Sequence, residues 1–310
     1  MKIKFRPTKV VLIAFVFLLL YYPPILPINM MHVLTVISVL YLLRYRNKNI
    51  SRILSGYSFP FFILSMYLLI VILLNGESIS NVTPVLMLGI ETVPVCLAIA
   101  DMKTRKVSDV DIFDIIISAA MIQSLIAFAT FFVPSLHELL INQYTNYGYG
   151  DIIIELSGYR MYGLSYGLTY GMPVANACIA TIALYRGVNH DNKYFIKALL
   201  IFAAAVINAR TSIVIFAIGL VGVVLSSIKD YKKAAKIVFY IVIALLLFSQ
   251  VLVYLDSYAP ETAEWIRHGI EDITTFITGK DSNEYSYFSY ATSKSKYSVP
   301  SVCPPRKNRQ

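Results

Sequence analysis

The sequence predicts an all-α fold: a polytopic transmembrane helical bundle of about nine spans with two larger external segments. Three observations predict it. Apolar and aromatic residues make up 57% of the 310 positions and charged residues only 15%, against roughly 25% charged in a soluble domain. The apolar residues run continuously for the length of a membrane helix and do not alternate as they would in a barrel strand. Clusters of Lys and Arg recur after every second apolar run. A mean hydropathy of +0.65 excludes a soluble enzyme, a disordered chain and a secreted disulfide scaffold, because a soluble fold cannot hide this much apolar surface.

The apolar runs fall at about residues 9–22, 28–43, 57–74, 82–100, 110–133, 166–185, 195–208, 212–228 and 237–255. The first follows Lys2, Lys4 and Arg6 and resembles a signal peptide. Tyr21-Tyr22-Pro23-Pro24 offers no small-residue cleavage site, so it reads as a retained span. Placing the N-terminus in the cytoplasm puts eighteen Lys/Arg inside, and only Arg160 and Arg210 outside before residue 256. That asymmetry obeys the positive-inside rule and sets both the count and the orientation. It also explains the net charge of +9 without nucleic acid.

Residues 1–255 thus form the bundle, with residues 134–165 as an external loop within it, and residues 256–310 form a second external segment. That segment opens with Pro260 and Glu261, which suit a helix start, and continues with Ile266, Ile270, Ile273 and Ile277 on one face. An amphipathic helix is expected at about 260–278, followed by a polar tail with the composition of a disordered chain. Function is expected in the two external segments, since the remaining connections are tight.

Few residues carry chemistry. Arg210 sits between two apolar runs in Asn208-Ala209-Arg210-Thr211-Ser212. The run before it is short for a ~30 Å hydrocarbon core, so its guanidinium stands near the outer interface, as a snorkelling anchor or as an anion site. Thr211 and Ser212 add donors at a helix start. Arg160 precedes Gly163, Gly167 and Gly171, whose spacing of four predicts a close helix–helix face. Glu91 lies mid-span between Pro84 and Pro94, as a paired structural acid or as part of a polar cavity in a kinked helix. Asp111 and Asp114, after Ser108-Asp109, read as helix caps. His32 reads as a polar helix-end residue, and His268 beside Arg267 as solvated surface or an acid–base group. Cys96, Cys178 and Cys303 have no metal or redox spacing.

Two elements, Arg160-Met161-Tyr162-Gly163-Leu164 before one span and Asn208-Ala209-Arg210-Thr211-Ser212 at the start of another, together resemble the bacterial O-antigen polymerases and ligases. The likeness covers roughly residues 110–280 and rests on the order, spacing and membrane side of these motifs. It implies a metal-independent, cofactor-free transferase of the plasma membrane that joins oligosaccharide repeat units carried on polyprenyl pyrophosphate. Arg160 and Arg210 are implied as catalytic. Glu91, Thr211, Ser212, Arg267 and His268 are the further candidates for binding substrate. The implied partners are the lipid-linked oligosaccharide, membrane lipid and other polysaccharide-assembly proteins. Family members continue with further spans, so the resemblance implies a C-terminally incomplete chain. Alternatives are a flippase for lipid-linked oligosaccharide, which would want a repeat and a basic central cavity, and a membrane acyltransferase, which would want a histidine deep in the spans.

Overall fold

The computed structural model describes residues 7–23, 30–45, 50–75, 82–106, 109–145, 163–165, 171–209, 211–260, 262–264, 266–268 and 270–271. All regular structure among them is helical. Each of the nine expected apolar runs coincides with helix. These are α1 (Pro7–Tyr21), α2 (Met30–Tyr45), α3 (Ile50–Asn75), α4 (Thr83–Met87) continued by α5 (Val93–Lys106), α6 (Ile112–Phe132), α8 (Gly171–Asn189), α9 (Lys193–Asn208), α10 (Thr211–Ser227) and α11 (Tyr231–Tyr258). Between α4 and α5 the helix widens into one π turn, Leu88–Thr92. The kink expected from Pro84 and Pro94 takes this form.

One element was not legible as such. The expected external loop begins with a helix, α7 (Pro134–Tyr144), which has Pro134 in its first turn and buries Leu140 and Tyr144. Pro costs nothing in a first turn because its missing N–H would have had no helical partner.

The outer faces are apolar. Leu73 and Leu74 on α3, Ile218 and Leu225 on α10, and Leu245 and Leu246 on α11 are all exposed. Water would penalise such faces heavily, whereas acyl chains solvate them at no cost. Four stretches, Gly56–Asn75, Val85–Arg105, Ile112–Phe132 and Tyr231–Tyr258, are long and apolar enough to cross a bilayer, and α1, α2 and α10 are shorter apolar helices. The chain is a helical membrane protein. The most enclosed helix is α8, which packs against α1, α6, α9, α10 and α11 and buries Met172, Asn176, Ala180 and Ala183.

Charged groups collect at one end of the bundle. Arg186 at the end of α8 donates to Asp111 across 2.6 Å, and Tyr194 at the start of α9 donates to Asp114 across 2.5 Å. Lys233 and Lys236 on α11 reach Asn189 and the Gly187 carbonyl. Asp111 is the N-cap of α6, accepting the Phe113 amide at 2.9 Å, as the sequence predicts; Ser108 lies outside the described residues. Asp114 departs from the expected cap role, since its carboxylate is spent on Tyr194 and lies 3.5 Å from Arg186. The Arg186 guanidinium and the Phe113 amide together hold the Asp111 carboxyl below its ordinary range.

Of the expected glycine face, Gly167 lies outside the described residues, and Gly163 and Gly171 do not share a helix. Gly163 lies outside any helix with φ +56, and a Cβ on Gly171 would meet nothing. Close approach occurs instead at Gly219 of α10, where a Cβ would collide with Thr181 of α8.

The chain divides into two compact units, residues 1–266 and 267–310. Past α11, Pro260, residues 262–264 and Ile266 are helical within the first unit. There Ala263 and Ile266 are buried among Val206, Ile207 and Leu255. In the second unit Arg267, His268, Ile270 and Glu271 are helical. Ile273, Ile277 and the tail lie outside the described residues.

Overpacking a tight helix contact costs about 1–3 kcal/mol. Gly219→Val is therefore expected to lower the thermal unfolding midpoint in detergent. Gly222→Ala, where a Cβ meets open space, is expected to leave it unchanged. Equal behaviour of the two variants would refute the α8–α10 contact.

Candidate functional site

The end of the bundle opposite the charged cluster carries a belt of buried polar groups. It starts on α6. Gln123 and Ser124 are fully buried there, and Gln123 Oε1 accepts the Leu164 amide at 3.2 Å. Tyr144 of α7, also buried, donates its hydroxyl toward the carbonyls of Gly163 (2.9 Å) and Ser165 (2.8 Å), and its oxygen accepts the Ser165 amide (2.9 Å). A non-helical stretch inside a membrane protein must find partners for its backbone groups. Here two side chains from neighbouring helices supply them.

Gly163 is required by this arrangement. Its φ of +56 is left-handed, and a Cβ would stand 2.6 Å from Gln123 Nε2 and 3.3 Å from Ala127 Cβ. The Gly163-Leu164 step singled out in the sequence is thus pressed against the Gln123–Ala127 face of α6.

The second singled-out element follows a helix end that shares a buried cluster with Ala127. Val206 and Ile207, in the last turn of α9, share a buried cluster with Ala127, Leu255, Ala263 and Ile266. Asn208 is fully buried. Its Nδ2 donates to the Ala204 carbonyl at 2.7 Å, and its Oδ1 has no partner among the described residues. Ala209 is extended, with φ −156 and ψ 134, and α10 begins at Thr211. Thr211 is exposed, while Ser212 is buried with its hydroxyl donating to the Ala209 carbonyl at 2.6 Å. Ser212 therefore serves the helix start, and its hydroxyl is already engaged.

Arg160 and Arg210 themselves lie outside the described residues. What is described is their flanks: Gly163–Ser165 on one side, and Asn208, Ala209 and Thr211 on the other. His268 in the second unit stands 3.1 Å from Glu271, one turn along the same helix, and Arg267 beside it is exposed.

Glu91 is paired. The π turn carries it toward α2, where it forms an ion pair with Nδ1 of His32, and the Thr35 hydroxyl approaches its backbone carbonyl at 3.4 Å. The Ser58 hydroxyl of α3 donates to the Gly89 carbonyl at 2.8 Å, satisfying backbone that the wide turn leaves over. Tyr22 closes the region. It has a φ of 45, the only left-handed non-glycine among the described residues, and lies beside Glu91, Thr92 and Cys96. Its neighbour Tyr21, fully buried, donates to Asn176 of α8 at 2.6 Å. Sequence reasoning missed this pairing because 59 positions separate His32 from Glu91. The signal available was that each was the one ionisable side chain at its depth on its span.

Among the described residues no three His, Cys, Asp or Glu side chains converge as metal ligands. The fold defines a helical membrane protein with buried polar groups on α6, α7, α8, α9 and α10. Comparison with protein-family models, curated proteins and solved structures finds no match to this chain.

Tyr144→Phe removes the hydroxyl that holds residues 163–165 but keeps the ring. Leaving these backbone groups unpaired costs on the order of 1–3 kcal/mol. Faster amide hydrogen exchange at Leu164 and Ser165, with α6 unaffected, is the expected result. Unchanged exchange would show that the anchor is idle.

Proposed function

We propose that the protein is a polymerase-type glycosyltransferase that joins oligosaccharide repeat units carried on polyprenyl pyrophosphate at the outer face of the bacterial plasma membrane. It crosses the membrane nine times, with its N-terminus in the cytoplasm. One observation carries the reading. The flanks of Arg160 and Arg210, far apart in sequence, gather around one buried cluster: Gly163 lies against Ala127 of α6, and Val206 and Ile207 belong to the same cluster as Ala127. The clustering of Arg186, Lys233 and Lys236 at the opposite end supports the orientation, since basic residues stay in the cytoplasm.

The chemistry follows from charge. Attack by an acceptor hydroxyl on the anomeric carbon of the donor expels a lipid pyrophosphate. The negative charge growing on that leaving group needs fixed cations in a site of low dielectric. Arginine stays charged and binds phosphate oxygens in a planar fork. Thr211 at the start of α10 adds a hydroxyl and the positive end of a helix. The unpaired Oδ1 of Asn208 offers an acceptor to a sugar hydroxyl. A second reading, a membrane acyltransferase, would use the His32–Glu91 contact as its base, but His32 stands at a helix end and not deep in the spans.

Chain extension of a lipid-linked oligosaccharide by the purified protein in liposomes separates these readings. A charged hydrogen bond to phosphate contributes about 1.5–3 kcal/mol, so Arg160→Ala and Arg210→Ala are each expected to slow extension about ten- to a hundredfold. Lysine should rescue only in part. Full-length polymer from Arg210→Ala would refute the assignment, and transfer of an acyl group without polymer would favour the second reading. For orientation, Thr145→Cys is expected to label from outside and Lys232→Cys only after permeabilisation, in a chain whose own cysteines are replaced. The reverse pattern would invert the topology.

A further inference from the structure

The π turn, the left-handed Tyr22 and the contact between His32 Nδ1 and the Glu91 carboxylate occur together. Each is uncommon alone. Wide helical turns frequently mark functional sites, and a left-handed non-glycine residue costs of order 1–3 kcal/mol and persists only where its surroundings impose it. An ionisable residue on a membrane helix needs a partner or a role.

The geometry of the pair is directional. Glu91 is largely covered, with 12% of its side chain exposed, while the His32 side chain is 56% exposed. The carboxylate takes Nδ1 of the imidazole. Nε2 is left facing out, with no partner among the described residues. A carboxylate holding Nδ1–H fixes the tautomer in which Nε2 carries the free lone pair. His32 is the third residue of α2, so this atom stands near the helix end, where a sugar hydroxyl in the interface can meet it. Tyr22, from the end of α1, lies beside both Glu91 and Cys96 of α5. The α3 side contributes Ser58 and Phe61 near Gly89. Through Tyr21 and Asn176 the region is tied to α8, whose start follows the anchored Gly163–Ser165 segment.

We infer that His32 and Glu91 form the general-base dyad of the transfer reaction, a role that rests on the polymerase reading above. His32 Nε2 takes the proton of the acceptor hydroxyl as its oxygen bonds to the anomeric carbon. The bond from that carbon to the pyrophosphate oxygen breaks, and the electron pair leaves with the lipid pyrophosphate. The proton then passes from His32 to water. His32 is the catalytic residue, and Glu91 is the positioning residue that keeps its tautomer.

Two measurements test this on the full chain. In protein labelled with 15N-histidine in detergent, neutral His32 is expected to carry its proton on Nδ1. In Glu91→Gln it should show mixed tautomers, because an amide donates as well as accepts. In liposomes with lipid-linked oligosaccharide, His32→Gln is expected to lower kcat for chain extension about a hundredfold or more, with KM for the donor within twofold. Glu91→Gln should lower kcat less, and Glu91→Asp should recover part of the loss. His32→Gln extending chains at the wild-type rate would overturn the dyad and leave the polymerase reading intact. So would a His32 tautomer indifferent to Glu91→Gln. A wild-type protein that extends no chains, while Glu91 still sets the tautomer, would overturn the polymerase reading and this role with it.

Discussion

The Gln123–Ala127 face of α6 is the surface on which the rest of this end of the molecule is built. Buried backbone does not tolerate unpaired groups, and residues 163–165 are non-helical. Gln123 accepts the Leu164 amide, Tyr144 engages the carbonyls on either side, and Gly163 leaves room for both. Ala127, one turn along, belongs to a buried cluster with Val206 and Ile207 at the end of α9 and with Ala263 and Ile266 after α11. A Cβ at 163 would collide with Gln123.

The two ends of the bundle divide their tasks by charge. One collects Asp111, Asp114, Arg186 and Lys233 into ion pairs and hydrogen bonds between the termini of α6, α8, α9 and α11. These pairs are partly solvated, and each adds little stability; their effect is to fix which helix ends meet. The other end buries hydroxyls and amides among the described residues: Tyr21, Asn176, Gln123, Tyr144, Asn208 and Ser212. A cation placed there acts on an anion with little screening, which suits stabilisation of a departing pyrophosphate.

Much of the fold was legible in the sequence because lipid imposes one dominant rule. An apolar run must be helical, and each of the nine runs coincides with helix. Which helices touch was not legible. Gly219 against Thr181, Tyr21 against Asn176 and His32 against Glu91 join residues whose separation leaves no periodic trace. The glycine spacing at 163, 167 and 171 misled because spacing implies a face only where the backbone is helical, and φ at Gly163 is +56. α7 escaped notice because its eleven residues bury only Leu140 and Tyr144, too few for a repeating pattern. At the candidate site, the motifs were legible as motifs. Their shared support on α6 was not, since Gln123 and Ala127 sit unremarkably within an apolar run.

The central claim is that Arg160 and Arg210 serve one ligand. Its most direct test places cysteines at 160 and 210, after replacement of Cys96, Cys178 and Cys303, and treats membranes with a bis-maleimide no longer than a pyrophosphate and one sugar. The account expects a cross-link within one chain that forms readily and is suppressed by added polyprenyl pyrophosphate. Two cysteines that each react with a single maleimide yet never cross-link, with or without that lipid, would contradict it.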